Sequence, residues 1–325
     1  MKIKKIVFLL LIIISTIIVI EFVFRNFVAT ISERPTLVRS TWLKKYWWPI
    51  NNMGYRDYDH YLGDLKNKKN IIIVGDSITA GFGIKDYRDR YPNILQEKLG
   101  NEWQIINISV PGWNLQQKVS ATCSYPYINE VKLIIFQYYF DDLVPEWVNY
   151  CGKPPVTDAD WLIPESYSYY LVRKSYFINY VYWRLYEFTF LFRKDILKEY
   201  LSYLDCVKEN KENTSMDAFN RLKDLIDLCE KNKIKLVILN IPHLELFENI
   251  RNKTNNSWED MHMIFVKNNI PTIDITSQYN HYKTLNLRVN LSDCHPNEKA
   301  HRIIADFLFD ELTKMNLITA LKTNK

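Results

Sequence analysis

From residue 70 onward, short β-branched runs alternate with stretches of helical spacing, and this alternation restricts the fold more than any other feature. The strand-like runs are 71–74, 104–108, 132–138, 234–240 and 272–275. Helical patterns fall at 91–99, 115–123, 217–231, 258–268 and 297–314. Strands separated by helices do not close as hairpins; they run parallel, with helices covering both faces. The expectation is an α/β fold, a three-layer α/β/α sandwich around a five-stranded parallel sheet. In such a sheet the reactive groups gather beyond the carboxyl ends of the strands. Ser77 follows the first strand, Gly112 the second, and Asp141 and Asp142 the third, so these dispersed residues should converge.

Two short motifs give that rim its chemistry. Gly75-Asp76-Ser77-Ile78 stands where the first strand ends and a helix should begin. Backbone N–H groups there are unsatisfied and the helix dipole is positive. A hydroxyl at that point can attack a carbonyl, and the same turn can help hold the oxyanion that results. Taken alone, a strand followed by a serine cap reads the same way. The second motif is Asp293-Cys294-His295-Pro296-Asn297, in a polar loop just before the last helix. Histidine is the usual base for a serine nucleophile, and a carboxylate on its far nitrogen fixes the tautomer. His243, after Pro242 at the end of the fourth strand, reads as a polar turn residue near the cleft, and His301 as a packing residue of the last helix. Arg56 and Asp57 read as a structural pair near the sheet edge.

The N-terminus sets the address. Residues 6–20 carry no charge, and Lys2, Lys4 and Lys5 precede them. A bilayer span needs about 20 mostly apolar residues, and a secretory core about 7–15. No Ala-x-Ala site follows, so residues 1–25 read as an uncleaved signal anchor. The flanking lysines place the N-terminus inside the cytoplasmic membrane and the rest of this single-pass chain outside it. Residues 26–69 form a juxtamembrane lead-in, and residues 70–325 the main domain. Within it, residues 143–214 interrupt the alternation with an insertion dense in Tyr, Trp and Phe. That insertion reads as a lid, a basic aromatic face on the membrane, or helices packed on the core.

Composition excludes other classes. Lys plus Arg is 42 against Asp plus Glu 37, with no long basic tract, so no nucleic-acid partner is expected. The five cysteines (Cys123, Cys151, Cys206, Cys229, Cys294) form no Cys-x-x-Cys pair, so no zinc site is expected. Their odd number leaves at least one thiol unpaired in a monomer, and the sequence does not give a pairing. Gly81 and Gly83 are too sparse for a phosphate loop.

Four ordered blocks resemble the SGNH (GDSL-type) hydrolase superfamily, and more closely its membrane-anchored extracytoplasmic bacterial members. They are Gly75-Asp76-Ser77 with Ile78-Thr79-Ala80-Gly81; Asn107-Ile108-Ser109-Val110-Pro111-Gly112-Trp113; Phe136-Gln137-Tyr138-Tyr139-Phe140-Asp141-Asp142-Leu143; and Asp293 to Asn297, continuing to His301-Arg302. The turn at 52–57 is similar to the lead-in of the anchored members. The resemblance implies a flavodoxin-like SGNH fold and an acyl-enzyme mechanism without metal or organic cofactor. It implies Ser77 as nucleophile, His295 as base and then acid, and Asp293 as its orienter. The oxyanion donors would be the backbone N–H groups of Ser77 and Gly112, with the position of Asp141 completing the hole. Asp76 would be a structural hydrogen-bonder.

Two residues depart from the family pattern. The family has Gly-x-Asn-Asp in its third block; here Tyr139 and Asp141 stand at the Gly and Asn positions. An ionised carboxylate cannot donate a hydrogen bond to an oxyanion. Asp141 is therefore protonated, or turned away, or the site is inactive. The family's Asp lies three residues before the His; here Ser292 does, and Asp293 lies two before. If Asp293 cannot reach the ring, a Ser77–His295 dyad remains. Three functions stay open: an ester hydrolase acting on acylated cell-surface glycans or lipids, an O-acyltransferase with the same triad, and a degenerate binding or scaffold domain.

Overall fold

The computed structural model describes residues 2–28, 37–139, 142, 169–190, 201–203, 205–206, 209, 211–244, 248–290 and 293–318. Contacts divide the chain into two units, one of Met1–Trp47 with Val156–Leu197, the other of Trp48–Pro155 with Lys198–Lys325.

The larger unit holds five strands: β1 (Lys69–Gly75), β2 (Trp103–Ser109), β3 (Val131–Tyr138), β4 (Lys235–Asn240) and β5 (Thr272–Asp274). All pair in parallel, in the order β2-β1-β3-β4-β5. This is the five-stranded α/β/α architecture that the alternation predicts. Ile71, Ile72, Ile73 and Val74 are all completely buried. Such a run buries on both faces only when helices cover both, which is why it is apolar without alternation.

Side chains alternate between the two faces of each strand. Ile71, Ile73, Leu133, Ile135, Val237 and Leu239 share one core with the helices Tyr91–Leu99 and Glu298–Lys314. The opposite layer contains the helices Leu115–Cys123 and Lys211–Asn232, which pack on each other and on the sheet. Helix Glu248–Lys267 packs on Lys211–Asn232 and on β5. Because all strands point the same way, the carboxyl ends of β1, β2, β3 and β4 fall at one rim. Register makes this concrete: Gly75 lies beside Ser109, Val74 beside Phe136, and Tyr138 beside Asn240.

The smaller unit is built around the apolar N-terminal helix Lys2–Val23, which continues as a π-helical turn, Phe24–Val28. Among the described residues, Ile3–Val28 is one helix long and apolar enough to cross a membrane, and its side chains are not buried in the protein. Among the described residues the unit also holds the helices Leu37–Tyr46, Tyr170–Lys174 and Tyr176–Phe190. The last two lie in the aromatic insertion.

Candidate active site

The turn that carries Ser77 is assembled from buried polar groups. Gly75 ends β1, and Ser77 opens a one-turn helix, Ser77–Ala80, capped by the Asp76 carboxylate accepting the Ile78 N–H at 2.8 Å. Gly75 has a steric reason. A Cβ there would stand 2.1 Å from Thr79 Oγ1 and 2.5 Å from Gln137 Oε1. Those two groups are bonded to each other and to the turn. Gln137 Oε1 accepts the Asp76 N–H at 3.1 Å and the Thr79 hydroxyl at 3.2 Å.

Beneath the turn lies Lys118, fully buried, on helix Leu115–Cys123. Its ammonium bonds Asp76 Oδ2 at 2.8 Å, the Asp142 carboxylate at 2.7 Å and the Gln137 carbonyl at 3.2 Å. Burial alone would lower the lysine's pKa, but Asp142 and Asp76 outweigh it and hold it above the ordinary value. Burial pushes the Asp142 carboxyl up, and Lys118 only partly offsets this. Asp142 also accepts the Tyr139 N–H at 2.9 Å. One ammonium thus ties the cap of the Ser77–Ala80 helix to the third sequence block.

The histidine loop is organised differently. Residues 287–290 pair with 295–297: the Val289 N–H donates to the His295 carbonyl, and the Asn297 N–H to the Leu287 carbonyl. Asn297 then caps the final helix by accepting the Ala300 N–H at 3.1 Å. Asp293 Oδ1 accepts the His295 backbone N–H at 3.0 Å and sits 2.5 Å from His295 Nδ1. The Asp-x-His spacing therefore suffices, because a local side-chain turn folds the carboxylate onto the ring. His295 Nε2 lies 2.8 Å from Ser77 Oγ. A carboxylate only accepts, so the His295 Nδ1–H donates to Asp293 and Nε2 is left to accept from the serine. Phe82 packs on the imidazole with ring centroids 5.1 Å apart.

The structure brings Ser77, His295 and Asp293 into one hydrogen-bonded run across 218 residues of sequence. Gly112 follows β2 with φ +82°, a conformation that favours glycine whatever the space around it. Asp141 lies outside the described residues. His301 is buried in the final helix, where its Nδ1 accepts the Tyr91 N–H at 3.1 Å and its ring stacks on Tyr91. His243 is half-buried beside the loop, its Nε2 3.4 Å from the Cys294 sulfur.

Arg56 and Asp57 do not pair with each other. Arg56 donates to the carbonyls of Ala80, Gly81 and Ile84, while Asp57 accepts the Asn107 N–H at 2.8 Å and pairs with His60. The lead-in turn is thus bound into the first and second blocks. Among the described residues, no group of three or more His, Cys, Asp or Glu could hold a metal ion.

No model of a protein family matches the sequence, and neither does any curated protein. Solved structures do. A member of the lipolytic protein G-D-S-L family from Veillonella parvula is 14% identical with TM-score 0.46, over 76% of this chain and 99% of that one. The psychrotrophic esterase EstA from Pseudoalteromonas is 13% identical with TM-score 0.44, over 77% and 99%. The lipase/acylhydrolase from Enterococcus faecalis is 11% identical with TM-score 0.44, over 78% and 100%. With likenesses this distant, it is the placement of Ser77, His295 and Asp293 that speaks for the chemistry. In the order of its sequence blocks and in its parallel five-stranded sheet, this chain is similar to the SGNH (GDSL-type) hydrolases.

Proposed function

We propose that this chain is a serine ester hydrolase that works through an acyl-enzyme on acylated cell-surface glycans or lipids. One observation carries the proposal: Asp293, His295 and Ser77 form a continuous hydrogen-bonded run of 2.5 Å and 2.8 Å. Ser77 Oγ attacks the ester carbonyl carbon while His295 Nε2 takes its proton. The carbonyl electrons move onto oxygen, and the N–H groups of Ser77 and Gly112 stabilise the oxyanion. Asp293 holds the imidazolium that forms. Collapse expels the alcohol, which leaves with the proton from His295. Water then attacks the acyl-enzyme with His295 again as base, releasing the acid and restoring Ser77. Serine, histidine and aspartate suffice for these steps.

The address supports an envelope substrate. The Ile3–Val28 helix behind Lys2, Lys4 and Lys5 fits a retained anchor with its bulk outside the cytoplasmic membrane. Cys206 is disulfide-bonded, which suits an oxidising compartment. The same residues would transfer the acyl group to a sugar hydroxyl if one replaced water in the second step.

The test is covalent labelling of the full chain with a fluorophosphonate, in wild type, Ser77→Ala and His295→Ala. Labelling of the wild type alone is expected. A folded wild-type protein that stays unlabelled overturns the proposal, and restoration by Asp141→Asn would identify a binding domain tuned away from turnover. Products from an acetylated glycan, with and without a sugar acceptor, separate hydrolysis from transfer.

A further inference from the structure

The smaller unit contains a contact that a removable leader has no use for. The Glu21 carboxylate, near the end of the apolar helix, accepts the Ser175 hydroxyl at 2.8 Å, the Tyr176 N–H at 2.5 Å and the Phe177 N–H at 3.3 Å. It thereby caps the N-terminus of helix Tyr176–Phe190 from a distance of over 150 residues in sequence. A carboxylate is the favoured partner there, since the first N–H groups of a helix are orphaned and the dipole end is positive.

Depth follows from helix geometry. Lys5 and Arg25 are twenty residues apart, which at about 1.5 Å per residue is about 30 Å, the thickness of a bilayer's hydrocarbon core. Glu21 therefore stands about one turn below the level of Arg25, inside the hydrocarbon boundary. A polar side chain at that depth needs hydrogen-bond partners, and the helix start supplies them. Aromatic contacts continue this alignment. Phe24 packs edge-on against Phe177 and Tyr180, and the Arg25 guanidinium sits 5.6 Å from the Tyr176 ring centre. Aromatic and basic side chains at one level are the pattern of a membrane interface.

The rest of the helix is two-faced. Asn179 and Trp183 are buried, while Phe177, Val181 and Leu185, spaced four apart, are 37%, 36% and 61% exposed. Leu171 on the preceding short helix is 59% exposed, and Arg173 and Lys174 end that helix. Apolar residues in a stripe beside basic ones suit a lipid surface.

We infer that helix Tyr176–Phe190 is an interfacial membrane helix, its start held by Glu21 just inside the boundary between headgroups and hydrocarbon, with Phe177, Val181 and Leu185 facing lipid. This rests on the anchor reading of Ile3–Val28, and it makes the anchor a retained part of the fold. The test uses the full chain in nanodiscs of phosphatidylcholine and phosphatidylglycerol, with p-benzoylphenylalanine at position 12, 181 or 185. Lipid adducts at all three positions are expected. Adducts at 12 alone overturn the interfacial helix and leave the anchor standing; a cross-linked dimer from 181 or 185 instead of a lipid adduct does the same. No adduct at 12 removes the anchor itself, and the inference with it. In parallel, Glu21→Gln should speed amide exchange over the first turn of Tyr176–Phe190 by roughly fivefold to tenfold, the worth of a capping bond. Unchanged exchange there refutes the capping role.

Discussion

The two halves of the candidate site are held by opposite means. The serine sits on a turn supported from below by Lys118, Asp76, Asp142 and Gln137, all buried and drawn from three different parts of the chain. The histidine sits on a loop whose partner carboxylate is two residues away and whose own side chain is 26% exposed. One half requires the whole sheet to be folded; the other is mostly local. The difference teaches where damage should fall. Substitutions beneath Ser77 should cost stability, and substitutions around His295 should cost rate.

Asp293→Asn is the sharpest probe. It keeps an acceptor for the His295 backbone N–H but loses control of the ring tautomer, so kcat should drop by about 10⁴-fold while the urea midpoint stays put. A matching loss of stability would erase the contrast between the halves. Lys118→Met strands two carboxylates in the interior, a change that typically costs about 3–5 kcal/mol. Chemical denaturation should show this, with Asp142→Asn in the same chain recovering part of it. A loss under about 1 kcal/mol would mean that the network is not what holds the turn.

A smaller effect concerns acid. His301 and His243 are each held at about 3 rather than 6.5, first by burial, then by nearby arginines. Both are neutral in the folded and unfolded chain above pH 6.5. Between about 6.5 and 3 the unfolded chain takes up protons that the folded one refuses. Stability is therefore full above that window and is lost as pH falls through it, by at most about 1.4 kcal/mol per unit for each histidine. His301→Asn keeps an acceptor for Tyr91 and should flatten the slope of unfolding free energy against pH; an unaltered slope would exclude His301 as its source. The smallest effect is expected at Cys294, whose sulfur lies 3.4 Å from His243 Nε2. Cys294→Ser should change kcat/KM by less than about threefold, since one weak hydrogen bond is exchanged for another. Alkylation of the thiol, which forces bulk against His243 beside the His295 loop, should lower activity in the wild type and spare that variant.

Much of this was legible in the sequence because it depends on local chemistry. The five β-branched runs became the five strands, since strand type and parallel order follow from residue class and intervening helices. Ser77 and His295 stood out because few residue types do their work. Lys118 was missed, although the signal was present. Leu115, Lys118, Val119 and Thr122 share the buried face of one helix, and a lysine on that face needs anionic partners. Which carboxylates answer it could not be read, since Asp76 and Asp142 reach it only once β1 and β3 are adjacent. The reach of Asp293 was also illegible, because it depends on a side-chain turn rather than on spacing. Arg56 was misread for a related reason. Charge suggested an acidic partner, but its guanidinium donates to carbonyls of the Ser77 segment.

That last arrangement bears on how the chain can be shortened. A fragment starting at residue 69 would keep the five described strands with Ser77, Asp293 and His295, yet it would lack the guanidinium that gathers the Ala80, Gly81 and Ile84 carbonyls and the carboxylate that meets the Asn107 amide. The clasp around Ser77 begins in the stretch that looks like a tether, so a version of this protein without its N-terminal helix should keep that clasp when the cut falls near Trp48, ahead of the turn.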